Sequence, residues 1–145
     1  MRFLASKSPA GNFMFITDPI GDFIVRLKNA TDVRKNEVSV PFSKLKNAVA
    51  LALKNAGYVG EVSEKGDVPQ KMLVVELLYT ESGSPKINGV KRISKPGRRL
   101  YVKARQAYPV KYGHGLMVLS TPRGILTDAE ARKNRIGGET LFKIW

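Results

Sequence analysis

The sequence predicts an α+β protein of two small domains: an N-terminal helix-strand-helix-strand-strand unit, and a mostly β C-terminal domain with one short helix. Apolar residues recur twice at helical spacing in the first part of the chain, and short apolar runs typical of strands follow. Between them lies TESGSPKING (80–89), a segment rich in turn residues where the charge balance also changes. We therefore predict an N-terminal extension at 1–15, an N-terminal domain at 16–82 and a C-terminal domain at 83–145.

The first helix is predicted over residues 18–30. Asp18 can accept hydrogen bonds from the first free amides, and Pro19 fits the first helical position. A short strand over 37–40 follows and ends at Pro41. The apolar residues of the first helix recur at helical spacing, at Ile20, Phe23, Ile24 and Leu27.

Ser43 is the predicted cap of a second helix, and Gly57 is expected to end it in the left-handed conformation that glycine tolerates. Residues 58–64 and 72–79 are rich in Val, Leu and Tyr, and the polar segment between them predicts a hairpin. The apolar stripe predicted for the second helix is Leu45, Val49, Ala52 and Leu53. Residues 1–15 are expected to be a loose extension. The alternative is that the start of the protein is misassigned and that Met14 is the usual first residue.

The C-terminal domain is predicted to hold strands over residues 100–104, 116–121 and 141–145. Asp128 is the predicted cap of a short helix that runs through Asn134. Its basic residues are expected in loops and on strand faces.

Charge is distributed unevenly along the chain. Residues 86–145 carry fourteen Lys/Arg and three acids, whereas residues 1–85 carry eleven bases and nine acids, so the net charge of +13 divides into +11 and +2. Such a field attracts phosphate-bearing partners, and with a pI near 10.2 it makes nucleic acid the first hypothesis.

Several other functions are not expected. Without cysteine there is no disulfide and no thiolate metal site, and a single histidine, His114, is the one imidazole available as a general base. The longest apolar run, Ala48 to Leu53, is far too short to span a bilayer. Nucleotide-binding and metalloprotease motifs are absent, and no spacing supports a triad of Ser120, His114 and an acid. We expect no enzyme, no cofactor, no metal and no membrane partner.

Residues 91–99, KRISKPGRR, place five bases around a Pro-Gly turn. Two interpretations stay open, a solvated basic hairpin and a loop that follows phosphates. The candidate residues of this segment and the strand after it are Lys91, Arg92, Lys95, Arg98, Tyr101 and Lys103. Tyr101, Tyr108 and Tyr112 could stack on bases or riboses, although packing in the protein core is the commoner role of tyrosine.

The segment Ser120-Thr121-Pro122-Arg123-Gly124 puts two hydroxyls at the end of a strand, just where the chain turns. Hydroxyls both donate and accept hydrogen bonds, which suits recognition of a ribose 2′-OH. The alternative interpretation is an ordinary strand-ending turn.

From Ile16 to Trp145 the chain resembles the bacterial-type small-subunit ribosomal protein eight family. The resemblance rests on TDPI, RLKNA, VPFSKLK, NGVKRISKPGRRLYVKA and STPRGILTDAEARKNRIGGETLFKIW, in that order. It implies a two-domain α+β protein that binds small-subunit ribosomal RNA directly in the central domain, early in subunit assembly. It also implies neighbours among the small-subunit proteins, five and twelve, repression of its own operon messenger RNA in some members, and a cytoplasmic or organellar ribosome.

The resemblance also assigns residues. It implies that Ser120, Thr121 and Gly124, with Arg123 beside them, enter an irregular RNA helix. It implies a loop-supporting role for Gly137, Gly138 and Glu139, and weaker N-terminal RNA contacts at Thr17, Asp18, Lys28 and Asn29. This chain departs from the family pattern at Pro122, where a third hydroxyl is usual, at Gly113-His114-Gly115, and in its N-terminal extension.

We therefore expect a non-catalytic ribosomal RNA-binding protein that scaffolds assembly. The rival hypotheses are a general binder of double-stranded nucleic acid outside the ribosome and an enzyme that uses His114.

Overall fold

The structure is a computed structural model that describes residues 18–67, 69–103 and 115–145. The expectations for Thr17, Tyr108, Tyr112 and His114 lie outside these residues. The helices are α1 (Pro19–Asp32), α2 (Lys44–Asn55) and α3 (Asp128–Asn134). The strands are β1 (Glu37–Pro41), β2 (Val59–Lys65), β3 (Met72–Leu77), β4 (Val90–Arg92), β5 (Tyr101–Val102), β6 (Leu116–Thr121), β7 (Gly124–Thr127) and β8 (Gly138–Ile144).

Helix α1 begins as predicted. The Gly21 amide donates to Asp18 Oδ1 at 3.1 Å, and proline occupies the first turn. A Cβ on Gly21 would lie 2.3 Å from Asp18 Oδ2, so a side chain at this position would require the capping carboxylate to shift. The apolar face of the helix is buried, which confirms the predicted stripe at Ile20, Phe23, Ile24 and Leu27.

The N-terminal sheet is antiparallel, with strand order β1-β3-β2, and contains the predicted hairpin of β2 and β3. Ser43 caps α2 by accepting from the Lys46 amide at 3.1 Å, and Gly57 follows the helix at φ +87°. The prediction for Leu45 is wrong, because this side chain in the first helical turn is 43% exposed. The buried face of α2 is formed by Val49, Ala50, Ala52 and Leu53.

The C-terminal sheet has five strands, with order β4-β8-β6-β7, and β5 pairs with the other end of β8. Strand β6 has the predicted bounds, but β8 begins at Gly138 rather than at residue 141. Strands β4 and β7 are additional. The prediction that Asp128 caps α3 is wrong: Thr127 accepts from the Glu130 amide, and the Glu130 carboxylate accepts from the Thr127 amide. Threonine precedes glutamate by three residues here, which completes a capping box one residue before the predicted cap.

One cluster of buried apolar side chains contains residues of both sheets, and the α+β class is confirmed. Ile87, inside the turn-rich segment 80–89, is 1% exposed and belongs to this cluster. Trp145 exchanges backbone hydrogen bonds with Gly89, and its indole leaves no room for a Cβ there. Burial, and then the Asp128 carboxylate, raise the pKa of Tyr58, the residue before β2, above its ordinary value. The division of the chain between residues 82 and 83 stays a prediction.

Within the described ranges, no helix combines the length and apolar character needed to cross a bilayer.

Candidate nucleic-acid interface

Strands β6 and β7 form a hairpin closed by Pro122 and Arg123, with Thr121 opposite Gly124. We call residues 120–124 the hydroxyl hairpin. Thr121 Oγ1 donates to the Gly124 carbonyl at 2.8 Å and accepts from the Arg123 amide at 3.1 Å. The Thr121 proton is therefore used to hold the turn, and Gly124 reaches φ +106°, which glycine adopts without strain.

Ser120 is the other hydroxyl of the hairpin. It is half-buried on β6, between Ile125 on β7 and Glu139 on β8. Within the part of the chain that the structure describes, its hydroxyl makes no hydrogen bond. This hydroxyl can therefore both donate to and accept from a ligand.

Gly138 supports the hydroxyl hairpin by its lack of a side chain. A Cβ at this position would lie 2.2 Å from the Ser120 carbonyl oxygen and 2.9 Å from Thr121 Cγ2. Gly137 immediately precedes β8. Glu139, only 13% exposed in its side chain, pairs with Arg99 at 3.2 Å, and no described hydroxyl of the hairpin hydrogen-bonds to it.

A groove of about 560 Å³ lies on the C-terminal sheet, and we call it the basic groove. Five bases and no acid stand among its described lining residues, which are Lys91, Arg92, Ile93, Lys95, Arg98, Leu100, Tyr101, Val102, Met117, Thr140 and Lys143. Lys91 and Lys143 are directly opposite each other on β4 and β8, with Met117 next in the same row on β6. Like charges in cross-strand pairs are destabilising, so this row is better suited to binding an anion than to stabilising the sheet.

A rigid turn presents two of these bases. Lys95 and Arg98 exchange backbone hydrogen bonds of 2.9 and 2.8 Å around Pro96-Gly97, and Gly97 has φ +84°. Behind the turn, the buried Ser94 hydroxyl accepts from the Leu100 amide at 2.9 Å and donates to the Leu100 carbonyl at 3.2 Å. Hydrogen bonds within the segment itself therefore hold the basic turn in place.

Tyr101 is 70% exposed and lines the basic groove, so the alternative of core packing is wrong for this tyrosine. Lys103, the next outward position after Tyr101, is exposed as well. An exposed aromatic ring beside several cations is the arrangement on which unpaired bases stack.

Asp18 and Arg92, two predicted RNA contacts, pair with each other. Arg92 Nη2 donates to Asp18 Oδ1 at 2.9 Å and Nε donates to Oδ2 at 3.0 Å, while Nη1 donates to the Leu141 carbonyl. Burial acts to raise the pKa of Asp18, but the hydrogen bonds from Arg92 and from the Gly21 amide outweigh it and hold this pKa below its ordinary value. The pair joins the start of α1 to β4.

Lys28 and Asn29 lie on α1 and do not line the basic groove. Lys28 Nζ is 2.5 Å from Asp32 Oδ1, one helical turn away, and Asn29 lines a separate groove between α1 and β1. Sequence reasoning missed Lys143, which enters the basic groove from the last strand. Its charge among the apolar residues Leu141, Phe142, Ile144 and Trp145 was the available signal. No group of acidic or histidine side chains in the described ranges could hold a metal ion.

A basic face beside a hairpin with an available hydroxyl is the surface of a polyanion-binding protein. The family model of ribosomal protein S8 matches residues 18–145, and the chain belongs to this family. Its members are structural, non-enzymatic proteins of the small ribosomal subunit that bind ribosomal RNA.

Named relatives agree over nearly the whole chain. The protein is 46% identical over 132 residues to small ribosomal subunit protein uS8 of Halothermothrix orenii, a match that covers 91% of this chain and 100% of that protein. It is 44% identical over 135 residues to uS8 of Persephonella marina, which covers 90% and 99% of the two chains. It is 45% identical over 132 residues to uS8 of Pediococcus pentosaceus, with 91% and 100% covered. The predicted family and the absence of an enzymatic role are confirmed.

Proposed function

We propose that the basic groove and the hydroxyl hairpin together form the surface that binds small-subunit ribosomal RNA, in its central domain and early in assembly. The observation that carries the proposal is the lining of the basic groove, five bases with no acid among the described residues. Lys91 and Lys143 are cross-strand partners there, and two like charges so close together attract phosphate.

The two parts of the surface have different tasks. Lys91, Lys95, Arg98 and Lys103 neutralise phosphates, which gives affinity without regard to sequence. The Ser120 hydroxyl contacts a ribose or a base edge, which gives site selectivity. Thr121 and Gly124 hold the turn so that Arg123 and Ser120 meet the RNA, and Tyr101 offers a stacking face.

The N-terminal residues act in a second way. We propose that Asp18 and Arg92 support the surface through their ion pair, while Lys28 and Asn29 make weaker RNA contacts from α1. In this proposal both domains, 16–82 and 83–145, contribute to RNA binding, and the second carries most of the positive charge.

The wider setting is proposed from the family resemblance. Small-subunit proteins five and twelve are the expected neighbours, and a messenger RNA of its own operon with a similar helix is a further expected partner. The particle is expected to be cytoplasmic.

Competition binding tests the proposal. A labelled central-domain transcript of small-subunit ribosomal RNA is bound at moderate salt and challenged with the unlabelled transcript or with bulk RNA duplex. We expect the transcript to compete at far lower concentration, because phosphate contacts alone do not distinguish the two. Equal displacement by both competitors would mean that the surface is a general nucleic-acid binder.

Two variants separate the tasks of the surface. Ser120→Ala is expected to weaken the transcript complex by about 1–3 kcal/mol and to leave duplex binding unchanged. Lys95→Ala is expected to lower the slope of log K against log salt by about one on both RNAs. Lys65→Ala, an exposed base on the N-terminal sheet, is the control and is expected to change neither. If Ser120→Ala and Lys95→Ala act alike on all RNAs, the division of tasks is wrong.

A further inference from the structure

All three helices end in the same hydrogen-bond motif. Just past each helix, an amide donates back to the carbonyl five residues earlier, in Lys35 to Ala30, Tyr58 to Leu53 and Ile136 to Ala131, each at 3.0 Å. The residue directly before the donor is left-handed in each case: Arg34 at φ +61°, Gly57 at φ +87° and Arg135 at φ +54°. Glycine is the usual residue there, because side chains crowd the backbone in this conformation.

Of the two arginines at this position, Arg34 has a structural reason. Its guanidinium donates to the Gly83 carbonyl and lies over the Tyr79 ring, 5.9 Å from the ring centre. These contacts tie the end of α1 to the turn-rich segment 80–89 and offset the backbone strain.

Arg135 has no such reason. Its side chain is exposed and makes no hydrogen bond, ion pair or ring contact with any residue in the described ranges. The motif around it does not need an arginine, since Ile136 packs against the small apolar cluster that contains Ala131 and so supplies the apolar contact that accompanies this helix end. Among the described residues, no side-chain contact of Arg135 therefore offsets this strain.

The position of Arg135 points to the hydroxyl hairpin. Arg135 lies three positions before Gly138, so their Cα atoms are at most about 11 Å apart. Gly138 in turn packs directly against the backbone of Ser120. The Arg135 side chain therefore begins close along the chain to the residue that packs on the hydroxyl hairpin.

We infer that Arg135 is an RNA-contacting residue of this protein, a cation held at a strained helix end so that its guanidinium binds a phosphate next to the hydroxyl hairpin. The inference rests on the proposed function, because the phosphate belongs to the RNA bound there. It adds a contact from α3 that neither the basic segment at 91–99 nor the hairpin itself provides. Strained backbone held at a binding surface is a recurring feature of functional sites.

Two substitutions at Arg135 separate charge from strain. Arg135→Gly removes both the charge and the strain, and Arg135→Lys keeps both; Lys65→Ala is the remote charge control. Affinity for the central-domain transcript is measured over a salt series, and the melting temperature is measured for each free protein. Arg135→Gly is expected to melt about 2–5 °C higher, to bind about 3- to 10-fold more weakly, and to lower the salt slope by about one. Arg135→Lys and Lys65→Ala are expected to bind and melt like the parent.

The possible results lead to different conclusions. If the parent binds the transcript and Arg135→Gly binds with the same affinity and slope, the inference is wrong and the proposed function stands. If Arg135→Gly lowers the melting temperature, the side chain supports the fold and the inference is wrong. If the parent itself does not prefer the transcript over duplex, the proposed function fails and the inference falls with it.

Discussion

Replacing Asp18 tests the physical link between the start of α1 and the basic sheet. Asp18→Ala removes a helix cap, worth about 1 kcal/mol, and leaves the Arg92 guanidinium, only 16% exposed, without its main partner, at a cost of about 1–3 kcal/mol. We expect the free energy of unfolding to fall by about 2–4 kcal/mol. Asp18→Asn keeps an oxygen for the Gly21 amide and loses only the charge, so a loss of about 1–2 kcal/mol is expected.

The pH dependence gives this prediction a sign. The pKa of Asp18 is lower in the folded protein than in the unfolded chain, where it is about 3.9. The stabilisation from the ionised carboxylate is therefore fully present above the unfolded pKa, and it is lost as the pH falls through the folded pKa. The stability difference between the parent and Asp18→Asn is therefore expected at pH 7 and is expected to shrink below about pH 4.

Guanidinium chloride titrations of Asp18→Ala, Asp18→Asn, Arg92→Met and the Asp18→Ala/Arg92→Met double variant measure both quantities. The coupling in the Asp18→Ala/Arg92→Met cycle is expected to be about 1–2 kcal/mol. Asp32→Asn is the matched control, because Asp32 pairs with Lys28 on the same helix but is 52% exposed, and a change within about 0.5 kcal/mol is expected. A coupling near zero, or a stability difference that does not change with pH, would refute the argument that this pair joins the two parts of the fold.

Three further predictions concern the C-terminal sheet. Gly138→Ala is expected to destabilise the protein by about 2–3 kcal/mol, because the new Cβ meets a backbone oxygen at 2.2 Å. Gly57→Ala is the control: a Cβ there meets open space, and the φ of +87° alone is expected to cost about 1 kcal/mol. Similar losses for both variants in urea titrations would contradict the steric argument. Tyr101→Ala is expected to change the free energy of unfolding by less than about 0.5 kcal/mol and to weaken transcript binding by about 1–3 kcal/mol, and unchanged binding by fluorescence anisotropy would remove the stacking role. Salt is expected to raise the melting temperature of the free protein, because it screens the repulsion between Lys91 and Lys143, and to weaken RNA binding. Lys143→Gln is expected to reduce both salt effects. A melting temperature independent of salt would show that the pair does not destabilise the sheet.

Local chemistry made the N-terminal part of the fold predictable. Asp18 with Pro19, Ser43 and Gly57 are signals that act within one helical turn, and each lies where the sequence places it. The prediction that Leu45 is buried failed, because helical spacing identifies a face of the helix but does not say where the sheet beneath that face ends. Asp128 failed because Thr127 and Asp128 are both good caps, and the glutamate three residues after Thr127 decides between them.

Short strands were less predictable. Strands β4 and β7 hold three and four residues, and they are strands because β8 and β6 offer backbone partners from elsewhere in the chain. Gly137-Gly138 has the composition of a turn, yet Gly138 is the first residue of β8, and glycine is needed there because β6 passes too close for a Cβ. Periodicity within a short window carries no information about such neighbours.

The candidate site shows the same division between local and long-range information. The Pro96-Gly97 turn and the hydroxyl hairpin could be identified from adjacent residues, and both are found. The Asp18 and Arg92 pair joins residues 74 positions apart, and only the folded chain reveals that two predicted RNA contacts bind each other. The presence of Lys143 in the basic groove likewise depends on strand order rather than on sequence.

Alternation along the strands explains how one small sheet can be both stable and strongly basic. Leu116 and Val118 on β6 face the large core cluster, while Met117 between them belongs to the opposite face, in the row of Lys143 and Lys91. The face that carries the bases is therefore not the face that joins the main core. Because that core also contains residues of the N-terminal sheet, the burial that offsets charge repulsion is partly supplied by the less charged part of the chain. If residues 83–145 were produced alone, they would lose that burial and keep the charge repulsion. The stability of this strongly basic part therefore depends on its packing against the N-terminal part.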